Sequence, residues 1–169
     1  MNSDYIIRII EQFIQAIVAI ITARKAGNYE QAFHQIQNAS QRYLNTDISV
    51  FLNKTPEQLL EYFGGGSKHF DTEQCIFCAD LLYETALICE AKQIEDLSVH
   101  AKILCLYLYL NVIPKEKEFQ TTSYKEKVNE LIKELETKTV PESVKDSLIA
   151  YRKLLDHGYY CIKEGHRCS

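Results

Sequence analysis

A chain of 169 residues with 46% hydrophobic side chains, three prolines and six glycines carries enough apolar material for one buried core and little that would serve as linker. Its formal charge of -4, with no run of lysine and arginine interleaved with aromatics, argues against nucleic acid as a partner, since that footprint needs a basic stripe. The apolar stretch from Phe13 to Ala23 is broken by Gln15 and Thr22 and lacks both a basic leader and a convincing cleavage site, so the expectation is a cytoplasmic protein with no membrane insertion.

Periodicity and cap signals predict an all-α chain of about seven helices. The first runs from about Ser3 to Lys25, and its apolar residues exceed one stripe. Ile6, Ile9, Ile10, Phe13, Ile17, Ile20 and Ile21 form a face that Ile7, Ile14 and Val18 widen, leaving a narrow polar strip of Arg8, Glu11, Gln12 and Gln15. Such a helix needs cover on more than one side, either inside its own domain or as the seam of a homodimer. Ile6, Ile10, Phe13 and Ile17 are the interface candidates on that helix.

Gly27 is suited to the left-handed conformation that ends a helix, Asn28 to capping the next through its side-chain oxygen, and Gln31 to reaching back as in a capping box. Ala32, Phe33, Ile36 and Ala39 then recur at helical spacing on a second helix, from about Tyr29 to Leu44. Thr55-Pro56-Glu57-Gln58 opens a short helix to Phe63, ended by Gly64-Gly65-Gly66-Ser67. That glycine run lacks the Walker spacing and follows a helix, where phosphate loops follow a strand, so it reads as a connector. Asp71 or Thr72 caps a long helix to about Ala91, and another spans about Glu95 to Ile113, stopped by Pro114. Ser123-x-x-Glu126 resembles a capping box for a helix to about Glu136, and Pro141 fits the first turn of a last helix to about His157.

The Gly27 to Ala39 stretch resembles the core of a tetratricopeptide repeat, a helix-turn-helix unit of about 34 residues. A degraded second copy runs through Leu81 to Leu110, with Lys92 in place of the turn glycine and Leu97 in place of the first small residue. A third start is visible from Tyr151 to Tyr160. Asp4 to Gln12, with the first hairpin, also resembles the opening of a family of small bacterial tetratricopeptide-like proteins with no assigned activity. The resemblance implies a fold: antiparallel hairpins at about 3–45, 72–113 and 121–160 in a right-handed array, one domain over 1–169, with 161–169 a loosely held tail. It supplies no functional residue. Hairpins of this kind usually bind partners, and no catalytic constellation accompanies them, so the expectation is a protein-interaction or scaffold role without catalysis or cofactor, through a groove lined by the second helix of each hairpin.

Six cysteines raise a different possibility, a small thiol-dependent redox or zinc-binding protein using Cys75 and Cys78. Against redox work, Cys75 lies beyond the first turn after Asp71, and Asp71 and Glu73 oppose a thiolate. Cys75, Cys78, Ala79, Leu82, Ala86 and Cys89 also share a helical stripe, where free cysteine packs as a small hydrophobe. A tetrahedral zinc set could be drawn from Cys75, Cys78, Cys161, His166 and Cys168, but it needs the tail to fold back onto the helix start. Tyr107 and Tyr109 flank Leu108 and cannot share a helical face, so at least one is expected at a surface or groove; a buried ring with a bonded hydroxyl suits a core edge, the preferred reading, as well as a peptide groove, and both stay among the interface candidates.

Overall fold

The computed structural model describes residues 3–157. Among them the chain is all-α, with eight α-helices and no strand. The helices are α1 (Ser3–Lys25), α2 (Tyr29–Leu44), α3 (Ile48–Leu52), α4 (Pro56–Tyr62), α5 (Thr72–Ala91), α6 (Glu95–Val112), α7 (Thr122–Leu135) and α8 (Glu142–Asp156). Short 3-10 turns at Ile113–Lys115 and Lys117–Phe119 follow α6, which ends at Val112, so Pro114 sits inside the first of those turns.

Three helices end in the same way. After α1, the Gly27 amide donates to the Arg24 carbonyl (3.0 Å) and the Asn28 amide to Ala23 (2.9 Å), with Gly27 at φ +81°. This is the Schellman arrangement, in which a left-handed residue lets the chain satisfy two orphan carbonyls. After α4 it recurs at Gly64 (φ +80°), with Gly65 donating to Leu60 (2.9 Å). After α5 it recurs at Gln93 (φ +61°), with Ile94 donating to Cys89 (2.8 Å).

The counterpart of Gly27 is therefore Gln93, one residue later than the expected Lys92. The shift restores a small residue to the second copy: Ser98, 3% exposed, takes the place of Ala32, while Leu97 faces solvent at 36%. Ser98 donates its hydroxyl to the Ala86 carbonyl on α5 (2.9 Å), which ties the two helices together.

Caps differ from expectation in detail. Asn28 makes no side-chain cap bond, because the Schellman turn already fixes the chain at φ -87° and ψ 67°. Ile94 occupies the same conformation after Gln93 (φ -97°, ψ 74°), also without a side-chain cap bond. The Thr55/Gln58 capping box forms as expected, and Asp71 caps α5 by accepting from the Gln74 amide (3.0 Å). The cap of α7 is Thr121, accepting from Tyr124, and Ser123 lies inside the helix. Pro141 precedes α8 as its N-cap residue. The helix not anticipated, α3, starts on Asp47, whose carboxylate accepts from the Ser49 amide (2.8 Å).

The pair α5 and α6 forms the centre of the molecule. α6 is buried without a break from Ala101 to Leu110, and α5 is buried on nearly every side from Cys75 to Cys89. α2 packs on α5, α1 covers α2 and α5, and α7 and α8 both dock on α6, as does α4. The third start, at Gly158, and the tail with Cys161, His166 and Cys168 lie outside the described residues.

Candidate interaction surface

The core side of α1 is anchored by aromatic and ionic contacts. Phe13 stacks on Phe77 of α5 (centroids 4.0 Å apart) and meets the edge of Tyr43 on α2 (5.4 Å). Arg24 donates through Nε to Glu84 on α5 at 2.9 Å, and the Glu84 side chain is 3% exposed. Removing one member of such a pair would strand the other, which fixes how α1 lies. Phe13, Ile20 and Ala23 are buried, with Ile9, Ile10, Ala16 and Ile17 packed partly against the core.

The other flank has little cover among the described residues. Ile7, Ile14 and Val18 are 52%, 54% and 56% exposed, and Ile21 is half-buried. Two seams are thus written on one helix. Ile6, Ile9, Phe13, Ala16, Ile20 and Ala23 follow alternating steps of three and four residues toward the core. Ile7, Ile10, Ile14, Ile17 and Ile21 repeat the same steps one residue later, turned by about 100° around the helix.

Of the interface candidates, Ile6, Ile10 and Ile17 lie at the margin between the seams and are half-buried. Phe13 is 2% exposed and belongs to the core. Tyr107 and Tyr109, at 8% and 0%, are buried as well, contrary to the expectation that one reaches a surface, because α6 is buried without a break from Ala101 to Leu110. α6 meets open space at its N-terminal half, where Glu95, Ser98, Val99 and Lys102 line a cleft. Ile7, Ile14 and Val18, outside the candidate set, are more than half exposed; the doubled three-four spacing was the signal for Ile7 and Ile14, and Val18 stands beside that row.

Tyr109 instead enters a buried polar cluster. Its hydroxyl donates to Asp80 Oδ1 (2.6 Å), and the Tyr124 hydroxyl of α7 donates to Asp80 Oδ2 (2.9 Å). Burial pushes the Asp80 carboxyl up, against the opposing pull of Lys127 and of the two hydroxyls. The cluster joins α5, α6 and α7 and satisfies both carboxylate oxygens away from solvent.

Cys75 and Cys78 are buried on α5, and burial raises both thiols. Cys105, also buried, donates its thiol to the Ala79 carbonyl (3.2 Å). Neither Cys75 nor Cys78 is placed as an accessible nucleophile. Among the described residues no group of three or more His, Cys, Asp or Glu side chains is arranged to hold a metal ion, while three members of the drawn zinc set lie outside those residues.

A cleft of about 480 Å³ opens where the α5–α6 turn meets the end of α7. Lys102 projects into it between Glu134 (2.6 Å) and Glu90 (3.3 Å), and Lys138 pairs with Glu95 (2.9 Å). Burial works against the Lys102 charge, yet the two carboxylates hold its ammonium above the ordinary lysine value. Each charge here already has a partner, so the cleft acts as a clasp between α6 and α7.

By length and composition alone α1 and the segment Glu95–Lys115 could each cross a membrane, although 72% of the latter's apolar window is buried in the core. Comparison of the chain with family models, curated proteins and solved structures finds no match.

Proposed function

We propose that this chain is a non-catalytic interaction module, a tetratricopeptide-like stack of two hairpins whose working surface is the outer flank of α1. The repeated Schellman turn at Gly27 and Gln93, with α2 packed on α5, supports the stacked-hairpin reading. The observation that carries the role is the exposure of Ile7, Ile14 and Val18, each more than half open on a helix otherwise anchored in the domain. A row of branched apolar side chains in water is unfavourable by about 25 cal/mol per Å² of apolar surface, and docking removes that cost. The Arg24–Glu84 pair and the Phe13–Phe77 stack hold α1 on the domain, which supports a surface used by polypeptide over one inserted in lipid. The four described cysteines are buried and form no disulfide with one another, which fits a reducing compartment such as the cytoplasm.

The test is a photo-crosslinking side chain placed at Ile14 in the producing cell, with Glu61, an exposed residue of α4, as the control position. A discrete adduct at position 14 and none at 61 is expected. Absence of any adduct from positions 7, 14 and 18 would remove the interaction reading.

A further inference from the structure

We infer that the occupant of the outer α1 seam is the same seam of a second copy, with the two helices antiparallel. The inference rests on reading that flank as the working surface and adds the identity and geometry of the partner.

The argument begins with self-complementarity. Ile7, Ile10, Ile14, Ile17 and Ile21 hold the a and d positions of a heptad seam. In an antiparallel pair each a residue meets a d residue of the other helix. Centring the two-fold axis between Gln15 and Ala16 places Ile14 against Ile17 and Ile10 against Ile21, each twice. Four consecutive layers are then built from isoleucine alone, and one seam supplies both sides, as an isologous interface requires.

The flanking charges agree with this register. Asp4, Glu11, Val18 and Lys25 stand at the e positions beside the seam. The same axis places Asp4 in the first turn of one helix beside Lys25 in the last turn of the other, at both ends, and lays the aliphatic stem of Glu11 over Val18. Antiparallel pairing also sets opposite helix-dipole ends side by side, whereas parallel pairing would align like ends. Of the g positions, Phe13 and Ile20 are buried in the chain's own core and take no part, while Ile6 is half-buried at the margin. A lipid surface fits less well: the polar strip on the side of α1 opposite the two seams carries Arg8 and Glu11 but no cluster of basic residues, and the chain's formal charge is -4.

Light scattering on the purified full-length chain, followed by disulfide trapping, tests the inference. Up to about 100 μM, where even a weak micromolar contact is saturated, the expected mass is twice the 19.6 kDa of one chain. Ile14→Asp should return the monomer with an unchanged circular dichroism spectrum. For trapping, Cys161 and Cys168 are replaced by serine, and chains carrying Ile10→Cys and Ile21→Cys are oxidised separately and mixed. Only the mixture should crosslink, because in a parallel pair these positions stand about 16 Å apart along the axis. A monomeric wild type at the highest concentration overturns the inference, as does a mixture that fails to crosslink while Ile14→Cys chains crosslink alone. An adduct in the cellular experiment whose mass is not that of two chains also overturns it, yet leaves the interaction reading in place.

Discussion

Among the described residues α1 and the Glu95–Lys115 segment that contains α6 are apolar enough to pass for membrane spans, and they are covered to opposite degrees: 72% of the latter's apolar window is buried, against 17% for α1. The difference comes from position in the stack. α6 has α5 on one side and α4, α7 and α8 around the rest, so every apolar residue from Ala101 to Leu110 meets another element. α1 rests on α2 and α5, and among the described residues Ile7, Ile14 and Val18 on its outer flank stay more than half exposed. Apolarity along a helix therefore counts the surfaces to be covered, and only the arrangement shows which ones the chain covers itself.

The widest gap between these helices should appear in stability. Leu104→Ala, at a fully buried site on α6, is expected to cost about 2–5 kcal/mol in urea unfolding. Ile14→Ala, measured where the chain is monomeric, should stay within about 0.5 kcal/mol of wild type. A comparable loss at both positions would mean that the α1 flank is covered within one chain, and the contrast would collapse.

The polar cluster sharpens the same comparison from the α6 side. Tyr109→Phe leaves the buried Asp80 carboxylate one donor short and should cost about 1–3 kcal/mol at neutral pH. The Asp80 carboxyl titrates higher folded than unfolded, where its value is near 3.8, so between those two values the native state binds more protons. This group's contribution to stability therefore falls as pH rises through that window. Subtracting the pH profile of Asp80→Asn from that of wild type should recover this slope; a difference profile of opposite slope would show that the two hydroxyls outweigh burial.

The turns should give the smallest effects and opposite signs. Gly27→Ala forces a Cβ into the left-handed region and should cost about 1 kcal/mol, whereas Gln93→Gly relieves that strain and should gain about 0.5–1 kcal/mol. Thermal unfolding of both variants checks the pair. A loss on Gln93→Gly would indicate that this side chain, at the rim of the Lys102 cleft, contributes more than its backbone costs.

Helix class and most boundaries were legible because their signals are local: the Thr55 capping box, the Asp71 cap and the glycine after Lys25 each act within a few residues. α3 escaped because its five residues are too few to show a period, although Asp47 was there to start it. The second hairpin was misaligned by one residue because glycine was taken as the sign of a left-handed position, and here glutamine holds it. Tyr107 and Tyr109 were misread for a different reason. Two residues that cannot share a face reach solvent only if the helix has a solvent face, and whether α6 has one depends on α7 and α8, far along the chain. On α1 the excess of isoleucine was visible, but which row was spare depended on where Phe77 and Glu84 stand.

The sealing of Cys75, Cys78, Cys89 and Cys105 has a use in the laboratory. A thiol that reagents reach only when the surrounding helices part becomes a clock for that opening, and these four sit on the two central helices. Alkylation at each, followed by mass spectrometry of the peptides, would time how α5 and α6 separate without any added probe, and would show whether the centre of the molecule opens as one unit or helix by helix.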